Sequence, residues 1–256
     1  MEAFRALLVV DAERFSAHRD VDLRTVHEEI RRALKTACRK SRLGETWENV
    51  RFMESTGDGI LAILPLEAAP ALIDPFPRRL QDALAAAAPR LRARGLHLRL
   101  RAALHMGLVD DERPEAPGIS AATIDVNRLL DAAPLRDALS RSDPEVTFTA
   151  FIVSADLFAA YVAGGRTKLR ESQFTRVQVR VKRFDRPAYL YVPTPSALDE
   201  PPDGPPDEPD EPEARRPRPA GPAGGGVTIN GVTISGDGAQ NAIGNTVGGD
   251  FLQERR

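Results

Sequence analysis

The chain has 256 residues, room for one full domain with accessory segments, and its 35 basic and 37 acidic residues leave a formal charge of −2. That balance excludes a general nucleic-acid binder, whose surface carries a clear excess of positive charge. The single cysteine, Cys38, excludes an internal disulfide, and no apolar run is long enough to span a bilayer. A soluble, cytoplasmic protein is expected.

Residues 4–11 read as a strand, Ala6-Leu7-Leu8-Val9-Val10 closing on Asp11, with Phe15-Ser16 just beyond it. Residues 20–42 follow as a helix, because Val26, Ile30, Ala33, Leu34 and Ala37 recur near helical spacing. Cys38 lies on that helix and reads as a small core residue. Trp47 reads as a core or interface anchor. Residues 48–53 and 60–64 are expected to form two strands joined by a tight hairpin, with Asp58-Gly59 as its turn dipeptide.

A helix over 77–94, a strand over 98–108, a loop and a helix over 122–139 come next. The zone finishes with a strand at 146–154, a short helix at 155–162 and strands at 175–181 and 188–192. His105, ending its strand, reads as a packed structural histidine. His18, His27 and His97 have no partner at zinc-ligand spacing. Strands that alternate with helices yet include adjacent hairpin pairs predict an α+β fold with a ferredoxin-like βαββαβ core and extra strands.

Beyond residue 193 the composition changes. Eleven of the 21 prolines fall between Pro193 and Pro222, interleaved with Asp and Glu. Such a stretch buries too little apolar surface to offset its ordering entropy, so residues 194–226 are expected to be a disordered linker. Residues 227–251 alternate β-branched residues with Gly and Asn, as in Val227-Thr228-Ile229-Asn230-Gly231-Val232-Thr233-Ile234. These windows are nearly uncharged, lack Pro and are rich in amides, a composition that suits stacked cross-β packing. They are similar to the short amyloid-type signalling motifs of bacterial and fungal immune proteins, which implies a protein partner bearing a matching motif. A Gly-rich tail or a small β-solenoid turn is the other reading. The expected layout is therefore a domain over 1–193, a linker over 194–226 and an assembly motif over 227–251.

Asp11 and Asp58 end adjacent strands, where two carboxylates can converge on divalent cations; each can equally be a turn residue. Five segments, taken in order, resemble the class III nucleotide cyclases. They are Asp11 with Phe15-Ser16; Gly57-Asp58-Gly59; Leu100-Arg101-Ala102-Ala103-Leu104-His105-Met106-Gly107; Arg128-Leu129-Leu130-Asp131-Ala132; and Val181-Lys182-Arg183-Phe184 with Ala188-Tyr189-Leu190-Tyr191-Val192. The resemblance runs from Phe4 to Val192 and is nearest to the divergent cyclase-homology domains of actinobacterial signalling proteins.

The resemblance implies a purine nucleoside triphosphate bound with Mg²⁺ or Mn²⁺ on Asp11 and Asp58. It places the β- and γ-phosphates on the backbone amides of residues 12–15, with Ala12 and Phe15 at the ends, and on Lys182. It makes Glu54 the base-reading side chain. A carboxylate there accepts from the N1 and N2 donors of guanine, which adenine lacks, so GTP is favoured over ATP. Arg128 takes the role of the transition-state arginine. The family's Asn four residues earlier is replaced by Ile124, whereas aligning Asn127 with that Asn puts Asp131 at the arginine position. Loss of one preorganised donor slows such reactions by about 10²–10³, so turnover is expected to be weak or absent. Because family sites form between two antiparallel subunits, a homodimer or a partner cyclase domain is implied.

Overall fold

The strand β1 (Ala3–Ala12) is the spine of the sheet, buried from Ala6 through Ala12 and paired antiparallel on both edges. The computed structural model of the chain describes residues 2–50, 52–55, 57–110, 118–197, 227–229 and 232–234. Contacts divide the chain into two units, 1–201 and 202–256.

In the first unit β1 is followed by α1 (Asp20–Lys40), α2 (Gly44–Glu48), β2 (Phe52–Ser55) and β3 (Gly59–Pro65). Then come α3 (Ala69–Ile73), α4 (Phe76–Arg92), β4 (Leu100–Val109), α5 (Ala121–Leu130) and α6 (Ala133–Ser140). The unit closes with β5 (Thr149–Ser154), α7 (Ala155–Phe158), β6 (Thr175–Val181) and β7 (Phe184–Tyr191). The strands form one seven-stranded sheet, ordered β2-β3-β1-β4-β5-β7-β6. Every pairing is antiparallel except β4 with β5. The first four strands have the ferredoxin-like order, so the expected α+β fold is the observed one.

Alternation along β1 sends Leu8 and Val10 to one face and Leu7 and Val9 to the other. On the first face they meet Val26, Ile30 and Leu34 of α1 and Leu80 and Leu84 of α4. On the second they meet Val126 and Leu129 of α5 and Leu135 and Leu139 of α6. The five apolar residues that predicted α1 are all buried. Cys38 and Trp47 lie in the first core; the Cys38 thiol is fully buried, which pushes its pKa up to about 12. Glu29 ties α1 to α4, its carboxylate accepting from Arg90 at 2.6 and 3.0 Å and also from Arg32. The Arg90 hydrogen bonds hold that carboxyl below its ordinary pKa.

Four element predictions need correction. The strand expected at 48–53 is the end of α2 and the start of β2, which is confined to Phe52–Ser55. The hairpin loop spans four residues rather than a two-residue turn, because Ser55 pairs with Ile60. Gly57, with φ 90°, takes the left-handed position there rather than Gly59. The single helix expected at 122–139 breaks after Leu130, where Ala132 turns extended (ψ 131°) ahead of Pro134 in the first turn of α6. Proline lacks the amide that would donate to Leu130 in a continuing ladder, so the helix has to restart there. The short helix expected at 155–162 is present, but it is α-helical only over Ala155–Phe158 and continues as a π-turn over Ala159–Ala163.

Gly107 sets the approach of α5 to the sheet: a Cβ added there would lie 2.6 Å from Cβ of Ala122. Gly107→Ala is expected to lower stability by about 1–3 kcal/mol through overpacking. In chemical denaturation the double variant Gly107→Ala/Ala122→Gly should recover part of that loss. Simple additivity of the two substitutions would assign the effect to another cause.

In the second unit, β8 (Val227–Ile229) and β9 (Val232–Ile234) pair antiparallel, Thr228 opposite Thr233. The rest of the predicted assembly motif, and the linker from residue 198 onward, lie outside the described residues.

Candidate functional site

Asp11 is the penultimate residue of β1 and projects from the same face as Leu7 and Val9, toward α5 and α6. It is only 8 % exposed. In the register it faces Gly59 of β3 on one side and Arg101 of β4 on the other. The Arg101 guanidinium forks onto it, Nε to Oδ1 at 2.9 Å and Nη2 to Oδ2 at 2.5 Å. Asp58 sits one residue before Gly59, half-buried, and its carbonyl accepts from the Ala12 amide at 2.9 Å. The fold thus brings the two predicted carboxylates together at the ends of adjacent strands.

Burial raises the Asp11 carboxyl to about 6, the attraction of Arg101 opposes that rise, and the negative charges of Asp58 and Asp131 add to it. Asp131 arrives at the end of α5, which runs back along β4 from Ala121. Three aspartates and one arginine therefore share this end of the sheet.

Their chemistry suits a hard cation. Asp58 offers carboxylate oxygens, and those of Asp11 accept from Arg101, which a cation would have to share or displace; burial keeps the Asp11 carboxyl raised even so. Among the described residues no group of three or more His, Cys, Asp or Glu converges as a complete metal cage. A pair of carboxylates is nevertheless what Mg²⁺ commonly uses when substrate phosphates and waters supply the other ligands.

The other predicted residues are placed less directly. The amides of Ala12 and Glu13 donate to Asp58 O and Arg99 O, each at 2.9 Å. Within residues 12–15 that leaves Arg14 and Phe15 as the amides not engaged in the sheet. Glu54 is exposed on β2, opposite Leu61. Arg128, on α5, ion-pairs with Asp125 at 3.2 Å; Asn127 donates its amide to Thr123 O at 2.7 Å, and Ile124 is solvent-facing.

Lys182 occupies a two-residue turn between β6 and β7, in the left-handed region with φ 53°. The register places it at the opposite end of the sheet from Asp11. Arg101 pairs with Ala150 at the start of β5, and Ser154 at the end of β5 pairs with Ala188, beyond which β7 leads back to that turn. One chain does not bring Lys182 to Asp11.

Arg101 was missed in the sequence, although an arginine within Leu100-Arg101-Ala102-Ala103-Leu104 is the signal that could have found it. A charge inside an otherwise apolar strand requires a partner. His105 is buried, its Nδ1 lacks a hydrogen-bond partner among the described residues, and burial lowers its pKa.

No known family's sequence profile matches the chain, and no curated protein matches it in sequence. Its neighbours among solved structures are nucleotide cyclase domains. The guanylyl cyclase Cya2 is 16 % identical, with 78 % of this chain and 95 % of that chain covered and a TM-score of 0.47. The guanylate cyclase domain of RhGC from Catenaria anguillulae, solved with GTP, is 11 % identical, covering 77 % and 100 % at a TM-score of 0.49. The adenylyl cyclase CyaB from P. aeruginosa is 12 % identical, covering 79 % and 98 % at 0.47. Each likeness is remote.

Among the described residues no helix is long and apolar enough to cross a membrane.

Proposed function

We propose that residues 1–193 bind a purine nucleoside triphosphate together with Mg²⁺ or Mn²⁺ and convert it to a cyclic nucleotide weakly or not at all. The observation that supports this most is that Asp58 adjoins Gly59, the register partner of Asp11, so that its charge, together with burial, bears on the Asp11 carboxyl and raises it to about 6. A divalent ion there would neutralise the developing charge on the phosphates and raise the acidity of the attacking hydroxyl. Asp11 and Asp58 would hold the ion, the amides of Arg14 and Phe15 would meet phosphate oxygens, and Glu54 would accept from guanine.

Lys182 completes the site only from a second domain, since it lies at the far end of the sheet in its own chain, and the resemblance has Arg128 act from that second domain as well. The working unit is then an antiparallel homodimer or a pair with a partner cyclase domain. Ile124, standing where the resemblance expects an Asn, has no donor for the ribose, which is the reason for expecting slow turnover. In this reading the domain is a cytoplasmic sensor, and residues 227–251 carry its output to a protein partner through β-strand templating.

The full chain, incubated with Mn²⁺ and labelled GTP or ATP, should bind GTP more tightly and release little cyclic product. Glu54→Gln should weaken GTP by about tenfold, one charged hydrogen bond's worth, and leave ATP unchanged. Equal affinities for the two nucleotides in the unmodified chain would remove the guanine assignment. Absence of any metal-dependent binding would remove the reading altogether and leave a dimerisation scaffold.

A further inference from the structure

On the other side of the β1–α1 connection lies a cavity of about 880 Å³ that contains none of Asp11, Glu54, Asp58, Arg128 or Lys182. It opens between the start of α1, the end of α4, the start of β4 and the segment that leads into β5. Its floor is apolar and buried, formed by Leu91, Leu96, Leu98 and Phe148. Its wall carries five arginines and three acids, and the acids are consumed. Asp22 takes Arg19 at 2.8 Å, Glu13 takes Arg99 at 3.2 Å, and Glu145 takes Arg92.

Two cations are left over. Arg94 makes only a long contact to the Thr25 hydroxyl, 3.5 Å. Arg14 has neither an ion pair nor a side-chain hydrogen bond among the described residues, and its charge bears on buried Arg99. The rim is held in place without a ligand: the His18 ring nitrogens approach Phe15 O at 3.1 Å and His97 O at 2.9 Å, tying the loop before α1 to the loop before β4. Arg14 is fixed at left-handed φ 54° inside that tied segment, a conformation an unbranched arginine adopts at some strain.

A preformed hollow with an apolar floor and two unpaired guanidinium groups at its mouth is complementary to an organic anion. Its volume is in the range of small-molecule sites, and arginine forks match phosphate oxygens. We infer that this cavity is a second, metal-independent binding site for a phosphorylated small molecule with an apolar ring, of nucleoside-monophosphate size. The ring would lie on Leu91, Leu98 and Phe148, and the phosphate between Arg14 and Arg94. The site borders the metal-dependent one at Arg14, using its side chain where the other reading uses its amide, and it needs no metal.

The test uses the full chain in EDTA with N-methylanthraniloyl-AMP as a fluorescent probe. A saturable rise at one probe per chain is expected. Arg14→Glu and Arg94→Glu should each weaken it by about tenfold or more, the loss of a charged hydrogen bond. Asp58→Asn should leave it unchanged. Both arginines are exposed, so circular dichroism and the thermal midpoint should match the parent; Arg14→Gln and Arg94→Gln serve if charge reversal disturbs folding. No saturable binding, equal binding by the arginine variants, or loss in Asp58→Asn would each overturn the inference.

Discussion

Asp58→Asn is expected to weaken Mn²⁺-dependent GTP binding by at least about 10–100-fold, the scale on which metal sites respond even to loss of an outer partner, with no change in the thermal midpoint. The contrast arises from how the residue is held. Its carbonyl receives the Ala12 amide, a contact that substitution of the side chain leaves intact, and among the described residues its carboxylate makes no ion pair that stabilises the fold. Asp11→Asn is a poorer probe. It would leave the largely buried Arg101 guanidinium facing an amide, and orphaning one member of such a pair destabilises strongly. Loss of binding in Asp11→Asn would therefore mix folding with ligation, whereas Asp58→Asn reads ligation alone. Retention of full affinity in Asp58→Asn would exclude the two-carboxylate site.

The second large effect is on pH. Asp11 must be ionised to hold a cation, and its carboxyl titrates near 6. Metal-dependent binding should be level above about pH 7 and fall by about tenfold per pH unit below 6, as one proton competes with the metal. The sign for stability is opposite. The folded-state value lies above the ordinary 3.8, so the folded chain binds this proton more tightly than the unfolded chain. That stabilisation is complete below pH 4 and is lost as pH rises through 6. Arg101→Met removes the one attraction that lowers the value and leaves burial, Asp58 and Asp131 to raise it. The fall in binding should then begin nearer neutrality. A binding profile flat from pH 5 to 8 in the unmodified chain would show that Asp11 is not a ligand.

The sheet was legible because β1, β3 and α1 announce themselves by apolar period, and because Asp11 and Asp58 stand where apolar runs stop. That Asp58 comes beside the end of β1 depends on β3 pairing with β1, an order the ferredoxin-like reading contains. The Arg101 contact did not, since it depends on the register of β4 against β1, which links residues 90 positions apart. The break after Leu130 was readable in Pro134, but the continuing apolar pattern of α5 and α6 masked it. The position of Lys182 is a property of sheet order, and sheet order is not written in any local window. The arginine-lined cavity was likewise invisible, because its wall is assembled from segments that meet only after α1 and α4 have packed.

The deep placement of Cys38 has a practical consequence. With no exposure and a pKa near 12, it holds almost none of its sulfur as thiolate at pH 8, and thiolate is the reactive form. A cysteine introduced on the surface would be the sole target for maleimide dyes or spin labels, with the native residue left in place. Distances between two such labels, one per chain, can then report directly how a pair of these domains is arranged.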